Sequence, residues 1–312
     1  SVILNPAADG GAGARIRTRL QAELSRKNLP HELFASEGPG HARALAGKAV
    51  SSGSDLILVV GGDGTLHEVA NGLLFNEVEP PPVAVIPVGT GNDFQKMLGT
   101  RVGLEATLDS IAHGTIRRFD VGRATTSGEE SYFVNLLGLG IDVEVLRKRN
   151  RFPRLRGLPQ YLAALASALV SFEPASFRMT IQGSSGEIPA PESEEIVEGR
   201  TLLMAVTVGP SVGGGFLLNP EATPFDGLLD LFFVRPLGMT ELVRYIPRVI
   251  RGTHQGLREI VQRRIVKVTI QRSDGSPFHF EMDGETMADP VTSLEVEVCP
   301  GRLPVVVPRD AS

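Results

Sequence analysis

A chain of 312 residues exceeds the usual size of one domain, so two domains, each large enough to bury its own core, are expected. A formal net charge of −5 supplies no basic surface for neutralising phosphates, which excludes a general nucleic-acid binder. The single cysteine, Cys299, excludes an internal disulfide; with no charged-then-apolar leader at Ser1 and no apolar run near the roughly 20 residues of a spanning helix, a cytoplasmic setting is expected.

The first part alternates strand and helix. "SVILNP" reads as a short apolar strand, residues 15–27 carry helical spacing, "HELFAS" is a strand and residues 42–51 a helix. Residues 55–60 form a strand, 66–75 a helix and "VAVIP" another strand, with "NEVEPPP" a loop between them. Continuous apolar strands separated by helices predict a parallel sheet covered on both faces, an α/β nucleotide-binding pattern.

From about Phe119 the texture changes. "SYFVNLLGLGI", "FRMTIQ", "RTLLMAVTVG", "LLDLFFV", "IVKVTIQ", "FHFEM" and "SLEVEVC" are short, β-branched or aromatic, and separated by turn residues. They predict an antiparallel β-sandwich, interrupted by helices over residues 160–170 and 240–250. "GSSGEIPAPESEEIVEG" reads as a polar loop, and the final "LPVVVP" as a strand that could return to either domain. The expected organisation is an α/β domain over 1–120, a β-sandwich domain over 121–300, and a terminal segment, 301–312, that could rejoin the first.

One charge cluster stands out. "RKRNRFPRLR" contributes Arg147, Lys148, Arg149, Arg151, Arg154 and Arg156 with no acidic residue, and leads into the apolar "LPQYLAALASALVSF". A basic cluster beside an amphipathic segment suits an anionic membrane surface. A solvated loop is the competing reading.

The chemistry concentrates at "DLILVVGGDGTLHEVANGLL". A strand that ends in glycines and opens a helix holds phosphate well: the backbone approaches closely, its N–H groups face the anion, and the helix dipole backs it. The pattern is neither Gly-x-Gly-x-x-Gly nor a P-loop followed by Lys-Ser/Thr. Asp63 would repel a bare polyphosphate, so it implies Mg²⁺, unless Asp63-Gly64 is simply a tight turn with Asp63 or Thr65 capping the helix. A second turn of the same style, Val88-Gly89-Thr90-Gly91-Asn92-Asp93-Phe94, follows "VAVIP". Two such turns from one parallel sheet share the edge at which α/β proteins bind ligands.

"GGDGTLHEVANGL" and "PVGTGNDF" resemble the two nucleotide-binding signatures of the diacylglycerol kinase catalytic family, which also holds bacterial lipid kinases and the sphingosine and ceramide kinases. "SEGPGHARALA", "FDVGRA", "FVNLLGLGIDVEV", "FDGLLDL" and "MDGE" extend the resemblance over nearly the whole chain. It implies an ATP-dependent lipid kinase with Gly61, Gly62, Asp63, Gly64, Thr65, Glu68, Gly89, Thr90 and Asn92 around the nucleotide. Asn5 and Ser36 match the family's asparagine and hydroxyl at the first two strand ends. Position 67 is histidine, familiar in the sphingosine kinase branch, which leaves the choice of lipid open.

The resemblance also places Asp283 where the family has the carboxylate that takes the acceptor's proton; read alone, Asp283-Gly284 is a β-hairpin turn. It implies a structural metal at Asp226, with a turn-forming Asp-Gly as competitor, and a water-mediated Mg²⁺ network that includes Asp93 and Asp120. The implied partners are ATP, Mg²⁺, a neutral lipid, foremost diacylglycerol, and the membrane surface that carries it. NAD kinases share the Gly-Gly-Asp-Gly turn and are the runner-up, but "GTGNDF" belongs to the lipid branch and an Asn-Glu pair for the nicotinamide-side nucleotide is missing. A sphingoid-type lipid kinase and a nucleotide-binding regulator without catalysis are the remaining alternatives.

Overall fold

A computed structural model describes residues 1–309 except 77, 90, 99–102 and 184–193. The chain forms two compact units, one of residues 1–119 together with the described residues from 301 onward, the other of residues 120–300.

In the first unit β1 (Val2–Leu4), α1 (Ala8–Arg26), β2 (Leu33–Ala35), α2 (His41–Ser51), β3 (Ile57–Gly61), α3 (Asp63–Leu74) and β4 (Val83–Pro87) alternate as expected. α4 (Asp93–Met97) and α5 (Leu104–His113) follow, and β5 (Thr115–Thr125) carries the chain into the second unit. β2, β1, β3 and β4 pair in parallel in that order. Every residue of β1 and β3 is buried, as for a sheet covered on both faces. Burying each such Val, Ile or Leu contributes about 1.5–3 kcal/mol. Leu20 and Leu24 of α1 and Leu104 and Leu108 of α5 pack into one core with the sheet residues.

Two expectations need correction here. Leu66 does not open its helix: α3 starts three residues earlier, so Asp63, Gly64 and Thr65 form its first turn. The helix expected behind Asp93 is the short α4, whose five residues are too few to show a period, and α5 was not read, because Leu104–His113 follows unmarked after a glycine.

The second unit contains β6 (Glu130–Phe133), β7 (Leu136–Gly140), α6 (Ile141–Arg149), α7 (Leu158–Leu169), β8 (Ala175–Gln182), β9 (Glu194–Thr201), β10 (Leu203–Thr207), β11 (Ser211–Val212), β12 (Phe216–Leu217) and β13 (Leu229–Val234). Next come α8 (Met239–Ile250), β14 (Ile260–Ile265), β15 (Lys267–Arg272), β16 (Phe280–Met282), β17 (Glu285–Thr286) and β18 (Ser293–Val307). One antiparallel sheet has the order β14-β13-β10-β7-β16-β17. In the other, the first half of β18 pairs with β15, β15 with β8 and β8 with β9, all antiparallel. The second half of β18 belongs to the first unit, where Val305 pairs in parallel with Val83 of β4.

Part of the expected polar loop is a strand. Residues 184–193 lie outside the described residues, but Glu194–Thr201 forms β9 against β8, with Glu194, Ile196, Glu198 and Arg200 on its exposed face and Val197 and Thr201 on the other. "SYFVNLLGLGI" is two strands broken at Val134 and Asn135, and the end of that apolar run, Ile141, opens the unforeseen helix α6.

Candidate active site

Two adjacent strand ends build the first half of the site. β3 and β4 are parallel neighbours with Gly61 paired to Pro87, so the segments leaving them start at one sheet edge. The segments touch: a Cβ on Gly89 would lie 2.7 Å from the Gly62 Cα, and one on Gly62 would lie 3.1 Å from the Gly89 Cα. Glycine is required on both sides of that approach. Gly62 is extended and precedes α3, which has no side-chain cap, so the first N–H groups of Asp63, Gly64 and Thr65 and the positive helix end are available to an anion.

Polar side chains lock this arrangement. Asn92, at φ 50°, accepts the Gly89 N–H on Oδ1 at 3.0 Å and donates from Nδ2 to the Gly89 carbonyl at 2.7 Å. Asn5 donates from Nδ2 to Thr65 Oγ1 at 3.0 Å, tying the end of β1 to the first turn. The Ser36 N–H donates to the Leu4 carbonyl at 2.8 Å and continues the same edge past β2. Asp63 Oδ1 accepts the Phe94 N–H at 3.4 Å, which links the first turn to α4. Thr90 lies outside the described residues.

Glu68 has a different task from the one expected. Its two oxygens accept the Gly40 N–H at 2.8 Å and the Ala42 N–H at 3.0 Å, so it caps α2 from α3 and braces the nucleotide turn from behind. Asp93 is buried and its Oδ1 meets Lys96 Nζ at 2.9 Å.

In the second unit Asp283 and Gly284, both at positive φ (51° and 89°), form the two-residue turn between β16 and β17. The Asp283 carboxylate accepts three backbone N–H groups: Val134 at 3.0 Å, Asn135 at 2.8 Å and Leu136 at 3.0 Å. The first two donors lie in the break between β6 and β7 and the third, Leu136, opens β7, so this carboxylate takes up the amides where the strand is interrupted. Its aim is therefore fixed by backbone.

Behind the turn lies a polar cluster that the sequence reading missed. Glu281 accepts the Gly284 N–H on Oε2 at 2.8 Å, and Asp142 accepts the Tyr161 hydroxyl. A Cβ on Gly138 would meet Asp142 Oδ2 at 2.5 Å and Glu281 Oε1 at 2.6 Å, so the two carboxyls converge over that glycine. Burial pushes both above the usual carboxyl range, and the Asp142 charge pushes Glu281 further. An aspartate just after "LGLG" in an apolar run was the available signal.

Asp142 and Tyr161 also border an apolar cavity of about 90 Å³, lined further by Leu165, Phe216, Phe232 and Ile246. α7 and the inner face of α8, through Leu242 and Val249, close it.

The predicted metal residues do not assemble. Asp120 accepts the Gly227 N–H at 2.8 Å; Asp226 turns back on the Leu228 N–H at 3.1 Å and forms an ion pair with Arg264. Turn formation thus occupies Asp226, the competing role read from its Asp-Gly. Among the described residues no three His, Cys, Asp or Glu side chains group to hold a metal. The neighbouring Asp230 is buried with Oδ2 unpartnered, and burial raises its pKa from 3.8 to about 7.

The basic cluster is partly consumed. Arg147 pairs with Glu144 at 2.9 Å, and Lys148 donates to the Ser167 carbonyl at 3.0 Å and Ser171 Oγ at 2.7 Å. Among the described residues no helix is long and apolar enough to cross a membrane.

Comparison with known proteins decides the family. Residues 1–124 match the diacylglycerol kinase catalytic domain, and residues 135–307 match the YegS C-terminal NAD kinase beta sandwich-like domain. The chain belongs to the diacylglycerol kinase family. It is accordingly a lipid kinase, a transferase built from an α/β domain and a β-sandwich. A diacylglycerol kinase of Mycobacterium tuberculosis (strain ATCC 25618 / H37Rv) is 28% identical over 311 residues, covering 99% of this chain and 95% of the relative. The crystal structure of a diacylglycerol kinase from Bacillus anthracis str. Sterne superposes with a TM-score of 0.71 at 23% identity, covering 100% of this chain and 97% of that one. An NAD kinase from Archaeoglobus fulgidus in complex with ATP shares the fold more distantly, at TM-score 0.53 and 15% identity over 98% and 92% of the two chains.

Proposed function

We propose that the chain transfers the γ-phosphate of ATP to the hydroxyl of a neutral lipid, with diacylglycerol as acceptor and phosphatidic acid as product. The observation that carries this reading is the backbone contact between Gly62 and Gly89, which sets two glycine turns side by side at one sheet edge. Amide donors and a helix terminus cradle the phosphates there, and phosphoryl transfer asks chiefly for such positioning and charge neutralisation. Asn5, Ser36, Thr65, Thr90 and Asn92 complete the nucleotide site in this reading.

Mg²⁺ fits as an ion that keeps much of its water shell and arrives on the triphosphate, since the carboxylates present form no cage. Bound there, it would offset charge on the transferring group, with Asp63 as the carboxylate of the first turn. Asp93 and Asp120 hold outer positions, and Asp226 braces its own loop. Asp283 accepts the proton of the lipid hydroxyl; its three amide donors orient it for that task. The cavity supports a lipid acceptor, because its lining is mostly Leu, Ile, Val and Phe side chains, with Asp142, Tyr161 and Tyr245 as the polar exceptions. The enzyme then works at a membrane surface, with Arg149, Arg151, Arg154 and Arg156 supplying charge while Arg147 is paired with Glu144 and Lys148 is held by α7.

The test is label transfer from γ-labelled ATP and Mg²⁺ to dispersed diacylglycerol, sphingosine, ceramide and NAD in parallel, with Asp283→Asn alongside. Label in diacylglycerol, lost in the variant, is the expected result. Label in NAD alone would overturn the reading, and label in sphingosine or ceramide would move the acceptor.

A further inference from the structure

The helix that closes the apolar cavity has an outer face that ordinary surface helices lack. α8 points Leu242, Tyr245, Ile246 and Val249 into the cavity. On the side adjoining that face Met239 and Val243 are 64% and 68% exposed, and Pro247 is exposed one turn further on. Spaced by four, these three form one stripe along the helix. Arg244 and Arg251 are exposed and Arg248 half-exposed beside that stripe. None of the three arginines has an acidic partner among the described residues. The segment from Met239 to Arg251 carries these three arginines against one glutamate, net +2 in a chain of net −5. That glutamate, Glu241, is drawn back onto the Gly238 N–H at 2.7 Å.

α8 turns its arginines outward as an ordinary surface helix does, but its apolar arc runs on past the cavity into solvent at Met239, Val243 and Pro247, so apolar and cationic side chains lie side by side on the exposed surface. Such a pattern suits a helix lying in the plane of a bilayer, its apolar stripe at the acyl boundary and its guanidinium groups on lipid phosphates. The stripe is too narrow for a protein partner, whose interface would need about 800 Å² per side. We propose that the outer face of α8 docks on an anionic lipid surface, with Met239, Val243 and Pro247 inserted and Arg244, Arg248 and Arg251 on the headgroups. Resting on the lipid-kinase reading, this makes α8 the wall shared by the bilayer and the acceptor cavity. The α6–α7 segment supplies charge, but its exposed large apolar residues, Leu155 at 40% and Val170 at 86%, stand at opposite ends of α7 and form no stripe, so it is the weaker anchor.

The experiment is co-sedimentation of the full chain with phosphatidylcholine vesicles, with and without phosphatidylglycerol, in the absence of nucleotide and acceptor. The variants are Val243→Asp, Arg244→Glu combined with Arg251→Glu, and, as the rival site, Arg149→Glu combined with Arg151→Glu and Arg154→Glu. The wild type should bind only the anionic vesicles. About fivefold in partition is expected for each arginine lost, from roughly 1 kcal/mol per cation near such a surface, and at least as much for Val243→Asp. Label transfer to detergent-dispersed lipid should stay unchanged in the α8 variants, which also shows them folded. Wild-type sedimentation of the α8 variants, loss confined to the α6–α7 variant, or no vesicle binding by the wild type would each overturn the proposal. A wild-type dimer that Val243→Asp converts to monomer would assign the face to a second copy instead. Because vesicle binding needs no phosphoryl transfer, its failure is separate from failure of the kinase reading.

Discussion

The nucleotide turns of the first unit and the acceptor machinery of the second are built from opposite materials. At Gly62 and Gly89 the working parts are main-chain N–H groups, and side chains are excluded so that two backbones can meet. Around Asp283 one side chain is held by main chain, while the cavity behind it is made of side chains from segments spread between α6 and β14. A backbone site tolerates no added atom, whereas a side-chain cavity can be reshaped residue by residue. Catalytic geometry should therefore be brittle in the first unit and acceptor choice adjustable in the second.

The sharpest test of that contrast is Asp283→Asn. Loss of the base should lower label transfer about 100- to 10,000-fold. The amide also faces donors with a donor, which costs about 1–3 kcal/mol of stability. Nucleotide affinity, measured calorimetrically, should not change, since the three amides that hold Asp283 belong to the second unit. A parallel loss of nucleotide binding would show that the two halves are not separable in this way.

Gly89→Ala should do the reverse. Its Cβ would stand 2.7 Å from the Gly62 Cα, and backbone cannot step aside cheaply. Overpacking of this kind costs about 1–3 kcal/mol. If that cost falls on the nucleotide-bound arrangement, affinity drops by roughly 5- to 150-fold. Unchanged nucleotide affinity would remove the contact between the turns from the argument.

What the sequence disclosed follows the same division. Glycines announce backbone work because little else needs them, so both turns, the parallel sheet and the Asp283-Gly284 hairpin were legible. The bond of Glu68 to the N-terminus of α2 was not legible, because a glutamate in the first turns of a helix looks the same whatever it reaches. The cavity was invisible, since Leu165, Phe216, Phe232 and Ile246 come from distant positions and nothing in their local spacing distinguishes cavity lining from filled core. Asp142 and Glu281 could be seen as polar intruders but not as neighbours, because β7 and β16 meet only in the folded sheet.

Buried carboxyls give the second unit a pH dependence of its own. Asp230 has its pKa raised from 3.8 to about 7, first by burial. Its folded value lies above its unfolded one, so the native state binds the extra proton between these limits and stability falls as pH rises from about 4 to 7. At about 1.4 kcal/mol per unit the full span is on the order of 4 kcal/mol. Asp230→Asn should flatten the melting temperature against pH over this interval and stabilise the chain most near pH 8. Identical pH profiles for the two proteins would place the neutral-range proton on Glu281 and Asp142 instead, which burial also raises.

The smallest effect separates structure from surface within the basic run. Lys148 donates to the Ser167 carbonyl and to Ser171 Oγ, so it satisfies backbone at the C-terminal end of α7, where a cation is also favoured by the helix dipole. Lys148→Met keeps the aliphatic stem and removes both bonds. The loss should be about 0.5–1.5 kcal/mol, the usual net worth of such a hydrogen bond, read as a lower denaturant midpoint. Vesicle partition should fall far less than for Arg244→Glu combined with Arg251→Glu, because Lys148 faces α7 while those arginines face outward. If Lys148→Met instead released the chain from vesicles and left stability untouched, its ammonium would belong to the membrane face, and the division of this run into structural and surface cations would be wrong.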